Sequence, residues 1–446
     1  MLQPGQSAAR PVGGDTVRHL LIAATLLAAT PALAQNRIDL IRPDAPELAR
    51  PGPHAVGVRA AQFTDPDRID VIAAMGGAEP SPALRRITAE IWYPAAEGTE
   101  AGTTYDTVLR DGTTAVALEG RAARDADPAD GRFPLVILSH GYPGNRYLMS
   151  HLAENLASKG YVVVAGDHPE STYDDQQAFA STLVNRAVDQ RLLLDGMADL
   201  NDAVGAITDA DRAAVIGYSM GGYGALIFGG AGLSRTAIDR TEPAGFVPPD
   251  GLLDRHAAGS DTLAQLVDPR IRAVVAIAPW GRQYEFWDAA GLGDLEKPLL
   301  LVAGSVDDVS PYESIRQIFD QATGTRRHLL TFDHANHNAA APIPAPAESW
   351  QVSDSLGRAT FDHYADPVWD TVRMNNILQH FSTAFLDLHL KDDAGRADYL
   401  DLVAQSDDGV WSMDADGRTD ETHSYWTGFA DRSAKGLSFE TREAGE

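Results

Sequence analysis

From residue 133 onward, short unbroken apolar runs alternate with stretches of helical periodicity. Leu135–Leu138, Tyr161–Ala165, Ala213–Ile216, Ile271–Ala278 and Leu299–Ala303 carry almost no polar positions, and Arg327–Phe332 reads as the last central strand. Such runs suit strands covered on both faces. Helical patterns fill the gaps at 146–158, 185–206, 310–322 and directly after Ser219. This rhythm predicts an α/β fold with a mostly parallel central sheet and helices on both faces.

The flanks read differently. Ala55–Phe63 and Ile87–Tyr93 alternate as half-buried strands, with a polar loop starting at Thr64 between them. Residues 95–131 are acidic and rich in Gly, Ala and Thr, which predicts a surface excursion. Residues 231–268 break the strand–helix rhythm and read as a lid-like insertion, and an Ala/Pro-rich second insertion covers about 339–366. Val368–Leu390 is an amphipathic helix. The acidic tail beyond it holds Trp411, Trp426 and Phe429, too many aromatics for a disordered segment.

The N-terminus stands apart. Arg18 and His19 precede the apolar run Leu20–Ala29, and Ala32-Leu33-Ala34 follows as a cleavage site. The pattern predicts a signal peptide over 1–34, a single catalytic domain over 35–446, and export to the periplasm or beyond. The run is too short to span a bilayer, so no membrane anchor is expected. The formal net charge of −27 argues against nucleic acid and anionic membranes as partners. With no cysteine in the chain, disulfides, thiolate nucleophiles and Cys-ligated metals are excluded.

The chemistry centres on Gly217-Tyr218-Ser219-Met220-Gly221-Gly222. A G-x-S-x-G turn between a buried strand and a helix holds its serine in a strained conformation, hydroxyl outward. A hydroxyl needs a base to take its proton and a third group to orient that base. In a parallel sheet, residues just beyond the strand ends converge on one edge. Asp307 and His337 follow later strands, giving the chain order Ser, Asp, His. Asp308 and His334 are their neighbouring rivals. The backbone N–H groups of Tyr142 and Met220 are the candidate oxyanion donors. Trp280, at another strand end, is a candidate substrate contact. No metal site is expected. The rim aromatics suggest a neutral, hydrophobic small-molecule ester as partner.

Several stretches resemble the α/β-hydrolase superfamily: Ser139-His140-Gly141, the Ser219 turn, Gly304-Ser305-Val306-Asp307 and Ala335-Asn336-His337-Asn338. Within it, Val56-Gly57-Val58-Arg59, Thr64-Asp65-Pro66-Asp67-Arg68 and Glu90-Ile91-Trp92-Tyr93-Pro94 are similar to bacterial dienelactone-hydrolase-like and plasma-type platelet-activating-factor acetylhydrolase proteins. Ala278-Pro279-Trp280 looks like secreted polyester hydrolases. The resemblance implies a serine esterase with no cofactor, and supports Asp307 and His337 by motif position. Acyl transfer, peptidase activity on the same residues, or a ligand-binding protein without turnover are the alternatives.

Overall fold

The computed structural model describes residues 36–249 and 251–446; the expected signal peptide lies outside them. Twelve strands follow in chain order. They are β1 (Ala55–Ile69), β2 (Pro82–Ala95), β3 (Thr104–Val108), β4 (Ala115–Glu119), β5 (Ala123–Arg124), β6 (Phe133–Ser139), β7 (Val162–Gly166), β8 (Thr208–Tyr218), β9 (Ile271–Ile277), β10 (Leu299–Gly304), β11 (Arg327–Phe332) and β12 (Leu437–Arg442). Ten of them form one sheet in the order β12-β11-β10-β9-β8-β6-β7-β2-β1-β5, and β3 and β4 pair separately as a hairpin.

The six strands β6 to β11 run parallel. Their side chains are buried on both faces, as the unbroken apolar runs require. From β6 the chain steps to β7 on one side and then returns to β8 on the other. That reversal lies between β6 and β8, where such sheets open a crevice at their carboxyl ends. Helices Phe179–Ala198, Met220–Gly229 and Thr371–Leu390 cover the sheet. Among the described residues no helix is long and apolar enough to cross a membrane.

Several boundaries differ from the sequence reading. Residues 64–68 belong to β1 and are not a loop: the ladder to β2 continues to Ile69↔Pro82 through a register shift between Asp65 and Arg68. Asp-Pro-Asp lacks strand propensity, but the irregularity accommodates Pro66 without a ladder bond. The expected helix 185–206 is instead a helix ending at Ala198, then a single turn over Ala203–Ile207 capped by Asp202. Residues 95–131 are not a mere surface excursion. Tyr105, Leu109, Val116 and Leu118 of the β3–β4 hairpin and its turn enter the core. The tail behaves as its aromatics suggest, with Trp426 and Phe429 buried and β12 closing the sheet edge.

Candidate active site

The turn after β8 is built by close approach. A Cβ on Gly217 would lie 2.0 Å from the Gly221 carbonyl oxygen, and one on Gly221 would lie 2.0 Å from that of Ser139. Only glycine fits either position. Between them Ser219 adopts φ 53°, ψ −112°, a strained conformation for a non-glycine residue. It caps helix Met220–Gly229, whose first N–H groups have no partner within the helix.

His337 Nε2 lies 3.0 Å from Ser219 Oγ, and His337 Nδ1 lies 2.8 Å from Asp307 Oδ2. Asp307 is itself fixed, because its Oδ1 accepts the N–H groups of Val309 and Ser310 at 2.8 Å each. Neither rival joins this chain of contacts. Asp308 is exposed and its carboxylate meets no basic group among the described residues. His334 adopts a positive φ and lines a separate surface hollow with Asp333, Trp369 and Arg373. Ser219, Asp307 and His337 are therefore the three that the strand ends bring together.

The loop after β6 closes against the serine. A Cβ on Gly141 would stand 3.3 Å from Ser219 Cβ, so the loop backbone that carries Tyr142 approaches the serine closely. His140 serves the loop from beneath: its Nδ1 donates to the Gly141 carbonyl at 2.7 Å and its Nε2 accepts the His168 N–H at 3.2 Å. Arg186, buried under the loop, donates to the His140 carbonyl and to Ser171 Oγ.

Beneath this surface lies a second relay of the same composition. His168 Nε2 is 2.8 Å from Ser139 Oγ, and its Nδ1 is 3.2 Å from Asp189 Oδ2. All three are at most 1% exposed. Asp189 also takes Arg68 and Arg85 at 2.6 to 2.8 Å, and those cations hold its carboxyl well below the usual range despite burial. Burial pushes His168 down to about 4. No substrate reaches this serine; the relay ties β6 and β7 to helix Phe179–Ala198.

Ser219 and His337 open into a cleft of about 550 Å³. Its other walls come chiefly from four places: Tyr142 and Pro143, Arg110 at the tip of the β3–β4 hairpin, Asp308 and Val309 beyond β10, and residues 358–367. Among the described residues, none of 231–268 lines it. The wall-forming insertion is the second one, because Asn338 Nδ2 donates to the carbonyls of Asp362 and Ala365 at 2.7 and 2.8 Å and draws that segment over His337. Asp366 holds the histidine loop from the same side, accepting the Asn336 N–H at 2.7 Å. Trp280 does not line the cleft either. Its indole is 8% exposed and packs on Phe179, Phe246, Tyr284 and Phe286 at 5.0 to 5.3 Å. The 231–268 insertion does cover it, through Phe246. Sequence reading did not find Arg110, Asn338, Phe361, His363 or Asp366. Of these, Asn338 stood in the motif directly after the candidate histidine without being given a role, and Asp366-Pro367 carried only the signal of a turn-forming pair.

A family model described as alpha/beta hydrolase fold matches residues 134–230. Cutinase est1 of Thermobifida alba is 26% identical over 206 residues, covering 46% of this chain and 53% of that protein. Cutinase 1 of Thermobifida cellulosilytica is 32% identical over 212 residues, 46% and 60% of the two chains. The chain thus spans only about half the length of the curated relatives it matches. A solved ferulic acid esterase from Streptomyces cinnamoneus superposes with a TM-score of 0.55 at 21% identity, over 80% of this chain and 94% of that one. The chain has the α/β-hydrolase fold. The relatives named here do not bear on the narrower resemblance to dienelactone-hydrolase-like and platelet-activating-factor acetylhydrolase proteins.

Proposed function

We propose that the protein is an exported serine hydrolase that cleaves carboxylic esters through an acyl-enzyme. The observation that carries this is the unbroken chain Ser219–His337–Asp307, at 3.0 and 2.8 Å, opening into a cleft. His337 Nε2 takes the Ser219 proton as Oγ attacks the ester carbon. Asp307 holds the ring in the tautomer that leaves Nε2 free to accept, and stabilises the imidazolium that forms. The carbonyl oxygen becomes an oxyanion facing the Met220 and Tyr142 N–H groups, aided by the positive end of the helix. As the tetrahedral adduct collapses, the C–O bond breaks and His337 returns the proton to the departing alcohol. Water then enters, loses its proton to His337, and releases the acid and Ser219. No metal or cofactor takes part in these steps.

The relatives support an ester as the substrate, since those named are a ferulic acid esterase and cutinases. Export rests on the basic, apolar and Ala-x-Ala pattern of residues 18–34. The deciding experiment is hydrolysis of p-nitrophenyl acetate by the purified protein, with fluorophosphonate labelling and mapping of the modified residue. Turnover with label on Ser219 is expected. Absence of both would overturn the reading.

A further inference from the structure

Arg110 is the one basic group on the cleft wall that the protein leaves without a partner. Its guanidinium makes no hydrogen bond and no ion pair with any described residue, although it is only partly exposed. The other arginine there, Arg358, is paired with Asp362. Nor do the carboxylates nearby serve Arg110. Asp111 accepts the Thr113 and Thr114 N–H groups and the Thr114 hydroxyl. Asp366 accepts three backbone N–H groups, those of Asn336, Val368 and Trp369. Asp308 is exposed and pairs with no cation.

The position is also rigid. Arg110 sits in the tight turn between β3 and β4, closed by the Leu109 N–H to Thr114 carbonyl bond at 2.9 Å. Its own N–H donates to the Tyr364 hydroxyl at 3.1 Å, and Asn145 donates to Thr107 in the adjoining strand at 2.8 Å. The charged residues that share the cleft with it, Asp308, Arg358, Asp362 and Asp366, form no ion pair with it, and its ring neighbours are neutral. Tyr142 lines the cleft beside it, and burial pushes His363 down to about 3, with Arg110 and His337 adding to that push. A partly desolvated cation with no internal counter-charge costs free energy unless a ligand supplies the anion. A planar guanidinium on a fixed turn matches a carboxylate through two parallel N–H···O bonds.

We propose that Arg110 receives a carboxylate carried by the substrate, so that the preferred ester is one bearing a free carboxylate away from the bond that is cleaved. This rests on the serine-hydrolase reading above, and it reverses the neutral substrate that composition suggested. The acidic surface slows the approach of such an ester, but a fixed cation acts on a bound carboxylate at contact distance, whereas the diffuse field is screened beyond about 10 Å. The carboxylate has two possible origins, the acyl half or the alcohol half.

The test uses the purified protein and two matched pairs of esters. On the acyl side, the monobenzyl ester of adipic acid is compared with the same ester whose free acid is a primary amide. On the alcohol side, the hexanoyl ester of 4-(hydroxymethyl)benzoic acid is compared with that of 4-(hydroxymethyl)benzamide. In at least one pair, kcat/KM is expected to favour the acid over the amide by about 10-fold or more. Arg110→Gln should collapse that ratio towards one, and Arg110→Lys should leave an intermediate value, since a point charge keeps attraction without the fork. Should the glutamine variant not fold, the lysine variant alone decides, because an unchanged ratio there overturns the bidentate contact. Amides cleaved as well as acids in both pairs would overturn the proposal while leaving the hydrolase reading intact. If no ester is cleaved and Ser219 takes no fluorophosphonate, the hydrolase reading itself fails.

Discussion

Trp280 touches Ser219 through its backbone and not through its ring. Its N–H donates to the Ser219 carbonyl at 3.1 Å, while the indole turns away into the aromatic cluster around Phe246 and Phe286. The residue thus holds the turn on which the serine sits and takes no part in lining the cleft. Trp280→Ala is expected to destabilise the protein by about 3–5 kcal/mol, the usual cost of deleting a large buried ring. Across esters of increasing acyl length, kcat/KM should fall by a common factor. Thermal melts and an acyl-length series check this, and a change confined to long acyl chains would contradict it.

His337→Ala should be as damaging as Ser219→Ala, each lowering turnover of a simple ester on the order of 10³-fold or more. His334→Ala should remain near wild type, because His334 lines a different hollow. Asp307→Asn should cost far more than Asp308→Asn, since Asp307 is the carboxylate that pairs with His337. Steady-state kinetics of the five variants on p-nitrophenyl acetate settle the ranking.

The cleft wall should choose between substrates where the covering insertion does not. Phe361 lines the cleft, and Phe246 packs on Trp280 outside it. Phe361→Ala is expected to change the kcat/KM ratio between short and long acyl esters several-fold, within the range that one or two methylene contacts give. Phe246→Ala should lower the melting temperature and leave that ratio alone. Equal shifts in the ratio would move the selecting wall back to residues 231–268.

These outcomes depend on what the sequence made legible. The convergence of Ser219, Asp307 and His337 followed from strand order alone, because parallel strands deliver their carboxyl ends to one edge. Motif position favours Asp307 over Asp308, but adjacent residues differ only in the direction of a side chain, and that direction is set by the fold. Arg110 was hidden for another reason. The hairpin finds the cleft through contacts of Thr107 with Asn145 and of Arg110 with Tyr364, 38 and 254 residues away in sequence, which no local pattern encodes. Trp280 was misjudged because an aromatic at a strand end can line a pocket or pin the backbone, and sequence does not separate the two.

Acid should destabilise the fold through histidines that burial keeps neutral. His151 is pushed down to about 3 and His256 to about 4, whereas unfolded histidine titrates near 6.5. Below that value the unfolded chain binds protons that the native state refuses. Stability therefore rises with pH through this window and is lost as pH falls below about 6.5, by about 1.4 kcal/mol per pH unit for each such group. His151→Met should make the plot of unfolding free energy against pH shallower by about that amount between pH 6 and 4. Denaturant titrations at a series of pH values measure the slope, and an unchanged slope would show that His151 is protonated in the native protein.

The sealed relay of Ser139, His168 and Asp189 gives the molecule a built-in reference for its own reactivity. Two serines in one chain each have a histidine and an aspartate of their own at comparable distances, and they differ in whether a reagent can arrive. An organophosphorus reagent in excess should therefore titrate to one equivalent per chain in the native state. The accessible serine is counted and the enclosed one is silent, so the stoichiometry reads the active-site concentration directly.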